Sequence, residues 1–186
     1  ITAIAFDKTG TLTIGKPVVT DFVPFGDMKE EEALALIAAV EIGSEHPLAR
    51  AIVEKGKSAC RVVPEVKDFE AIAGRGVHGN VVGKNVVVGN AAFMGSLGIA
   101  IEEHHPLVEK LQNEAKTVVY AAADQKLIGI LALADTLKPH AREAIQALKK
   151  MKKEIIMITG DNPKTAQAIA HDLGIDRVLA QVLPQQ

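Results

Sequence analysis

Ile1-Thr-Ala-Ile-Ala-Phe6 is an apolar run that stops at Asp7-Lys8-Thr9-Gly10-Thr11-Leu12-Thr13. A short apolar segment bounded by a Gly-containing polar loop predicts a buried β-strand, Ile1–Phe6, running straight into a loop. In open α/β sheets ligands gather at the carboxyl ends of strands, which puts Asp7 where chemistry is done. A carboxylate there can attack a phosphoryl group and form an aspartyl phosphate. Gly10 permits a close backbone approach, and the threonine hydroxyls and loop amides can meet phosphate oxygens. The plainer reading is a polar turn after a strand, and the order of all seven residues weighs against it.

The same grammar returns at the far end of the chain. Helix Pro139–Met151, strand Ile155–Ile158, helix Pro163–Leu173 closed by Gly174, and strand Val178–Ala180 alternate as in a parallel α/β sheet. Four lysines (149, 150, 152 and 153) crowd the end of the first of these helices, where cations suit the dipole. Between the two stretches the pattern differs. Strand Val18–Phe25 is followed by a helix from Met28 to Ile42 capped by Asp27, then a Pro-started helix, Pro47–Ala59. From Val66 to Val88 the period falls to two with glycine punctuation, which predicts an antiparallel meander. Helices over Ala91–Leu97 and Glu102–Ala115 come next, and Asp124-Gln125 joins a hairpin, Thr117–Ala123 with Lys126–Ala134. The expected architecture is therefore an α/β domain of residues 1–13 and 126–186 with an α+β domain, residues 14–125, inserted into it on an antiparallel sheet.

Composition narrows the function classes. The 186 residues are 48% hydrophobic and 24% charged, with a formal charge of −2. That is globular composition, and it excludes partners recognised through bulk positive charge, nucleic acid among them. With 3% aromatic residues and no Trp, the cores must be packed mainly by Val, Ile, Leu and Ala. Cys60 is the single cysteine, so no intrachain disulfide forms, and a reducing compartment is the simpler setting. No apolar run reaches the ~18 residues of a membrane span. Opening without Met inside a strand, and stopping at Pro184-Gln-Gln186, the sequence reads as a piece of a longer polypeptide.

A second loop matches the first in kind. Thr159-Gly160-Asp161-Asn162 succeeds a strand and precedes a helix, so the Thr159 hydroxyl and Gly160 amide can donate to a transferring phosphate near a helix N-terminus. In the inserted region, Ser44-Glu45-His46-Pro47-Leu48 joins two helices. Gly74-Arg-Gly-Val-His-Gly79 matches the dinucleotide fingerprint G-x-G-x-x-G, but the residues after Gly79 are strand-like rather than helical, and the fingerprint needs a helix. Cys60, His104, His105, His140 and His171 lack a second set of ligands at suitable spacing and read as ordinary helix or surface residues.

Together these motifs resemble the P-type ATPases, ion pumps of the haloacid dehalogenase superfamily. D-K-T-G-T-L-T resembles their phosphorylation motif, T-G-D-N their second phosphate loop, and Asp135-Thr-Leu-Lys-Pro139 the hinge where the chain re-enters the phosphorylation domain. S-E-H-P-L resembles the hallmark of the nucleotide-binding domain in the heavy-metal subgroup. The resemblance implies that Asp7 is the phosphorylated nucleophile, with Lys8, Thr9, Thr159, Gly160 and Asp161 around it. Thr9 stands where phosphatases of the superfamily carry a second Asp, and a threonine cannot shuttle protons, so the phosphoenzyme should persist. It implies ATP as substrate and Mg²⁺ as cofactor, with Asp7 and Thr9 among the metal's ligands. It further implies a nucleotide pocket of Glu41, Ser44, Glu45, His46, Gly74, Gly76, Gly89 and Asn90, with His46 orienting the adenine.

In the family the phosphorylation domain continues to a G-D-G-x-N-D loop whose carboxylate holds Mg²⁺ and to a phosphate-contacting Lys, and neither is among residues 1–186. The region alone is therefore expected to bind nucleotide as a monomer without forming a stable phosphoenzyme. The partners implied are ATP or ADP and the transmembrane and metal-binding domains of the same chain, on the cytoplasmic side of a membrane. Val178–Pro184 is similar to a segment of copper exporters, which points to Cu(I) as the transported ion. Two other readings stand beside this one: a nucleotide-binding module without catalysis, and a soluble phosphatase, which Thr9 and S-E-H-P-L disfavour.

Overall fold

The computed structural model describes residues 2–182. Ile1 and the end of the copper-exporter-like stretch, Leu183 and Pro184, lie outside them. The chain divides into two compact units, one of residues 1–16, 109–117 and 134–186, the other of residues 17–108 and 118–133. The division expected from sequence instead runs unbroken from 14 to 125.

The first unit is built on a parallel sheet. Strand β1 (Ala3–Asp7) ends in a wide turn, Lys8–Leu12, kinked where Gly10 takes a left-handed φ of 77°. A long strand, β2, starts at once (Thr13–Pro24). Late in the chain, α5 (Ala141–Lys150), β8 (Glu154–Ile158), α6 (Pro163–Leu173) and β9 (Arg177–Leu179) alternate as expected. The three strands lie in the order β1-β8-β9, both pairs parallel. Leu12, Ile145, Ile155, Met157, Ile169, Leu173 and Ile175 form the core of this unit. Strand β1 is not fully buried: its side chains alternate between exposed and half-buried, because among the described residues it is an edge strand with one neighbour.

The second unit carries α1 (Glu30–Glu41), α2 (Pro47–Ala59), β3 (Val66–Ile72), β4 (Gly76–Val81), β5 (Lys84–Gly89) and α3 (Ala91–Ser96). A single turn, Glu102–His104, leads into α4 (His105–Asn113), and β6 (Thr117–Ala123) pairs by a hairpin with β7 (Lys126–Leu137). The sheet order is β2-β7-β6-β5-β4-β3, and adjacent strands from β3 to β6 run antiparallel. Helix α1 lies on this sheet and α2 on α1, burying Leu34, Ile37, Val40 and Ile52 against Val77, Val81, Val86, Val88, Ala121 and Leu131. No aromatic residue is among the buried members of this cluster, although Phe93 and Tyr120 are buried elsewhere in the unit. Gly56 lets the two helices close: a Cβ there would stand 2.4 Å from the Ala38 methyl.

Several boundaries differ from the sequence reading, each for a local reason. Helix α1 starts at Glu30, not Met28, and Asp27 does not cap it; Lys29 is its first boundary residue, and Glu30, Glu31 and Glu32 favour the dipole instead. Helix α5 starts two residues after Pro139 because His140 sits at a left-handed φ of 66°. The helix expected over 102–115 breaks at His104 into a turn and a shorter helix. Strands β2 and β7 both overrun their expected limits, β2 toward Thr13 and β7 to Leu137, because each supplies the other's neighbour in the sheet. Asp135-Thr136-Leu137, at the start of the hinge stretch, is thus strand. The hairpin between β6 and β7 is as expected: Asp124 and Gln125 both adopt positive φ, at 48° and 66°, which suits a two-residue turn.

Candidate functional site

In the parallel unit, register brings the two phosphate-type loops together. Ala3 to Asp7 pair in order with Glu154 to Ile158, so Asp7 lies across from Ile158 and both loops leave the sheet at the same end. Asp7 and Thr9 are exposed there, and Lys8 turns inward. The Lys8 ammonium meets Asp161 Oδ2 at 2.8 Å, with both side chains largely buried, at 10% and 14% exposure. The other carboxylate oxygen of Asp161 accepts from the Thr117 hydroxyl at 3.4 Å. Lys8 and Asp161 therefore neutralise each other, and two residues grouped with the nucleophile by sequence prove to hold the two loops in place.

Thr159 is buried, and its hydroxyl accepts from the Asp161 N–H at 3.1 Å, which folds the loop back on itself. The Thr159 N–H donates to Leu179 O and its carbonyl accepts from the Val182 N–H, so β9 anchors the loop from the other side. Asn162 caps α6: its side-chain oxygen accepts from the Thr165 N–H at 3.1 Å. Gly160 is exposed with room for a side chain, its nearest neighbour to a built Cβ being Val182 O at 3.8 Å. Its neighbours therefore do not require a glycine.

Magnesium is what the sequence resemblance implies at Asp7 and Thr9. Asp161 is engaged by Lys8, and among the described residues no three His, Cys, Asp or Glu side chains group as a metal site. Magnesium accepts water and phosphate oxygens beside one or two carboxylates. Asp7 and Thr9 offer one carboxylate and a hydroxyl, which could hold the ion only together with phosphate oxygens, water or further ligands.

In the antiparallel unit the residues singled out by sequence fall into two local groups. The first is the corner between α1 and α2. Glu41 ends α1 with its carboxyl buried, and burial raises its pKa from 4.5 to about 7, a rise partly opposed by the hydrogen bond from Ser44. The Ser44 hydroxyl oxygen accepts from the His46 N–H at 3.3 Å. His46 is the N-cap of α2, its Nδ1 accepting from the Leu48 N–H at 3.2 Å. The cap fixes the ring, and His46 and Glu45 are both exposed. Gly43 lies flat on Phe69, whose ring carbons would stand 3.1 Å from an added Cβ.

The second group is the turn between β3 and β4 together with the end of β5. Gly74 takes a left-handed φ of 70°. Gly76 and Gly89 pair across β4 and β5, so close that a Cβ on Gly76 would stand 2.2 Å from Val88 O, and one on Gly89 2.5 Å from Arg75 O. Asn90 spends its amide on structure: Oδ1 accepts from the Phe93 N–H at 2.9 Å and caps α3, while Nδ2 donates to Gly74 O at 2.8 Å. The glycine pattern thus builds strand and turn, and Gly76–Val81 is a strand where a dinucleotide fingerprint needs a helix. Sequence reasoning did not foresee the joining roles of Thr117, which lies 44 residues from Asp161, or of Phe69 beneath Gly43. Neither carries a local signal.

Comparison with known proteins gives the same two halves a common context. The sequence profile of haloacid dehalogenase-like hydrolases matches residues 1–185. A copper-exporting P-type ATPase of Staphylococcus saprophyticus is 45% identical over 186 residues, covering all of this chain and 23% of its own length. Among solved structures, a zinc-transporting PIB-type ATPase in its E2.Pi state is 38% identical, with a TM-score of 0.71 over all of this chain and 30% of its own. The catalytic CPx-ATPase domain CopB-B is 29% identical, with a TM-score of 0.72 over all of this chain and 62% of its own. The chain spans about a quarter of the length of the curated relatives it matches. It resembles the catalytic region of copper-transporting P-type ATPases.

Proposed function

The chain belongs to the haloacid dehalogenase-like hydrolases, and on that premise we propose that it is the ATP-binding and phosphorylation region of a metal-transporting P-type ATPase. One observation carries the reading: Asp7 stands exposed at the carboxyl end of β1, in register with the Thr159 loop on β8 and fixed to it through Lys8 and Asp161. An Asp7 carboxylate oxygen attacks the γ-phosphorus of ATP, the bond to the β–γ bridging oxygen breaks, ADP leaves, and an acyl phosphate remains. Thr9, in place of a proton-shuttling carboxylate, leaves that intermediate without a general base beside it. Water later attacks the phosphorus and releases phosphate and the free Asp7 carboxylate. Thr159, Gly160 and Asp161 line the receiving loop, and Mg²⁺ with Asp7 and Thr9 among its ligands belongs to the proposal.

Nucleotide binding belongs in the same proposal to residues 14–125. Glu41, Ser44, Glu45 and His46 form its adenine side, and Gly74, Gly76, Gly89 and Asn90 its floor. The substrate of the whole protein is a heavy-metal ion moved across a membrane, with this region on the cytoplasmic face beside transmembrane domains. Copper is the ion favoured, because the similar Staphylococcus saprophyticus protein is described as a copper exporter. Among the described residues no helix is long and apolar enough to cross a membrane.

The test is acid quenching of a protein containing this region after mixing with γ-labelled ATP and Mg²⁺. The expected result is a hydroxylamine-sensitive label, reduced roughly 10⁴-fold or more by Asp7→Asn, the scale of removing a covalent nucleophile. ATP affinity by calorimetry should be unchanged in that variant. A label that survives Asp7→Asn would overturn the reading. Activation of ATP hydrolysis by Zn(II) in preference to Cu(I) would overturn the choice of ion alone.

A further inference from the structure

Thr13, the last residue of the Asp7 motif, and Asp135 and Lys138 of the hinge enclose the Asp7 loop. Asp135 Oδ2 accepts from the Thr13 hydroxyl at 2.6 Å. The same carboxylate accepts from the Gly15 N–H at 3.1 and 3.2 Å and from the Lys16 N–H at 3.2 Å. A hydroxyl has a single proton to give. Thr13 Oγ1 also stands 3.0 Å from Lys8 O, but the short contact to a charged oxygen takes the proton. The lone pairs of Oγ1 are thereby left for the Gly10 N–H, which donates to it at 3.3 Å. From the end of β7, Lys138 N–H donates to Leu12 O at 2.9 Å, and the Lys138 ammonium to Gly10 O at 2.5 Å. Gly15 packs on Gly10 with no side chain between, since a Cβ there would stand 3.2 Å from Gly10 Cα.

We propose that Asp135, acting through the Thr13 hydroxyl, is a positioning residue for the loop that carries Asp7. The carboxylate dictates which way the Thr13 proton points, the oriented oxygen holds the Gly10 amide, and Lys138 holds the Gly10 carbonyl. Gly10 is the left-handed residue on which the turn depends, so both sides of its backbone are set from residues 13, 135 and 138. The functional consequence rests on the phosphoryl-transfer reading, because a displacement of about 1 Å at a reacting group costs on the order of 10²-fold in rate. The geometry does not rest on that reading.

Amide exchange of this chain, followed residue by residue by NMR, tests it without any chemistry at Asp7. In Asp135→Ala, the Gly15 and Lys16 amides lose their acceptor, and the Gly10 amide should also exchange about tenfold faster although it does not touch Asp135, a factor equal to about 1.4 kcal/mol of local stability. In Thr13→Val, Gly10 alone should accelerate, with Gly15 and Lys16 as in the wild type. A Gly10 amide unchanged in either folded variant overturns the proposal and leaves Asp135 a simple strand clamp. Slow exchange at Ile155 and Met157, buried strand residues of the same unit, reports whether a variant has folded. Should Asp135→Ala fail that check, Thr13→Val decides alone. ATP titration of the same samples reports on the proposed function separately, and its failure leaves the amide result standing.

Discussion

The two units solve the placing of reactive groups in opposite ways. In the parallel unit the groups around Asp7 are held by partners distant in sequence: Lys8 by Asp161, Asp161 by Thr117, Thr13 by Asp135. In the antiparallel unit His46 and Asn90 each cap the helix they precede through a partner two or three positions on, and Asn90 also reaches Gly74 across the turn. Glu41 differs from them in burial rather than in reach: it is a buried carboxyl whose hydroxyl partner, Ser44, is three residues away. Each unit is fragile in a different place as a result. Loops on a parallel sheet are tied to one another, so losing one partner strands another, whereas a capped corner loses only its own cap.

The largest expected effect breaks the first kind of support. Lys8→Met leaves the Asp161 carboxylate buried with its cation gone, and truncating one member of a buried pair costs about 3 kcal/mol or more. Urea unfolding should show that loss, and Lys8→Met with Asp161→Leu together should recover most of it. If the double variant is as unstable as the single one, the pair is not what holds the loops.

Next in size is Glu41, where pH separates a buried carboxyl from the exposed Glu45 and His46 beside it. Its folded pKa of about 7 lies above the unfolded value near 4.5, so the folded state binds more protons between those values. Stability is then full below about pH 4.5, falls as pH rises toward 7, and is flat above it. The gap at 1.36 kcal/mol per unit bounds the loss at roughly 3 kcal/mol. Glu41→Gln should abolish this dependence and raise stability at pH 8 relative to the wild type. A stability profile between pH 5 and 7.5 that is the same for both proteins would remove the assignment.

The smallest effect is at His46. His46→Gln removes a helix cap and should cost about 1 kcal/mol of stability. It should also weaken ATP binding by about 1–2 kcal/mol under the proposed function. His46→Asn, which restores capping, separates the two: stability returns while the ATP affinity stays reduced. Recovery of affinity with stability would mean that His46 acts only as a cap.

Much of this contrast was legible in the sequence because it is local. The apolar run ending at Asp7, the Pro47 helix start, the alternating valines of β4 and β5, Asn162 before Pro163 and Gly174 after α6 each state their conformation within a few residues. Boundaries failed where the deciding partner was distant or a single backbone angle intervened. Strand β7 continues through Asp135 because β2 lies beside it, and α5 starts late because His140 is left-handed. The ends of α4 failed in the same way, since periodicity in Glu102–Ala115 carries no mark of the break after His104.

At the candidate site the division is the same. Motif order alone named Asp7, Thr9 and the Thr159 loop, because backbone approach, hydroxyl donors and a strand-end carboxylate are properties of residue type and spacing. What Lys8 and Asp161 do was left to tertiary structure, since a charge's role depends on its partner, and theirs stand at opposite ends of the chain. The burial that raises Glu41 is likewise a property of the surrounding core. Which segments are strand or helix, and which residues are capable of chemistry, were settled in the order of the amino acids, both being short-range matters of sterics and side-chain type. Which of those residues is exposed, and which is spent on holding another, was settled by folding, because Coulomb pairing, desolvation and hydrogen-bond geometry act between groups that meet in space only once the chain has folded.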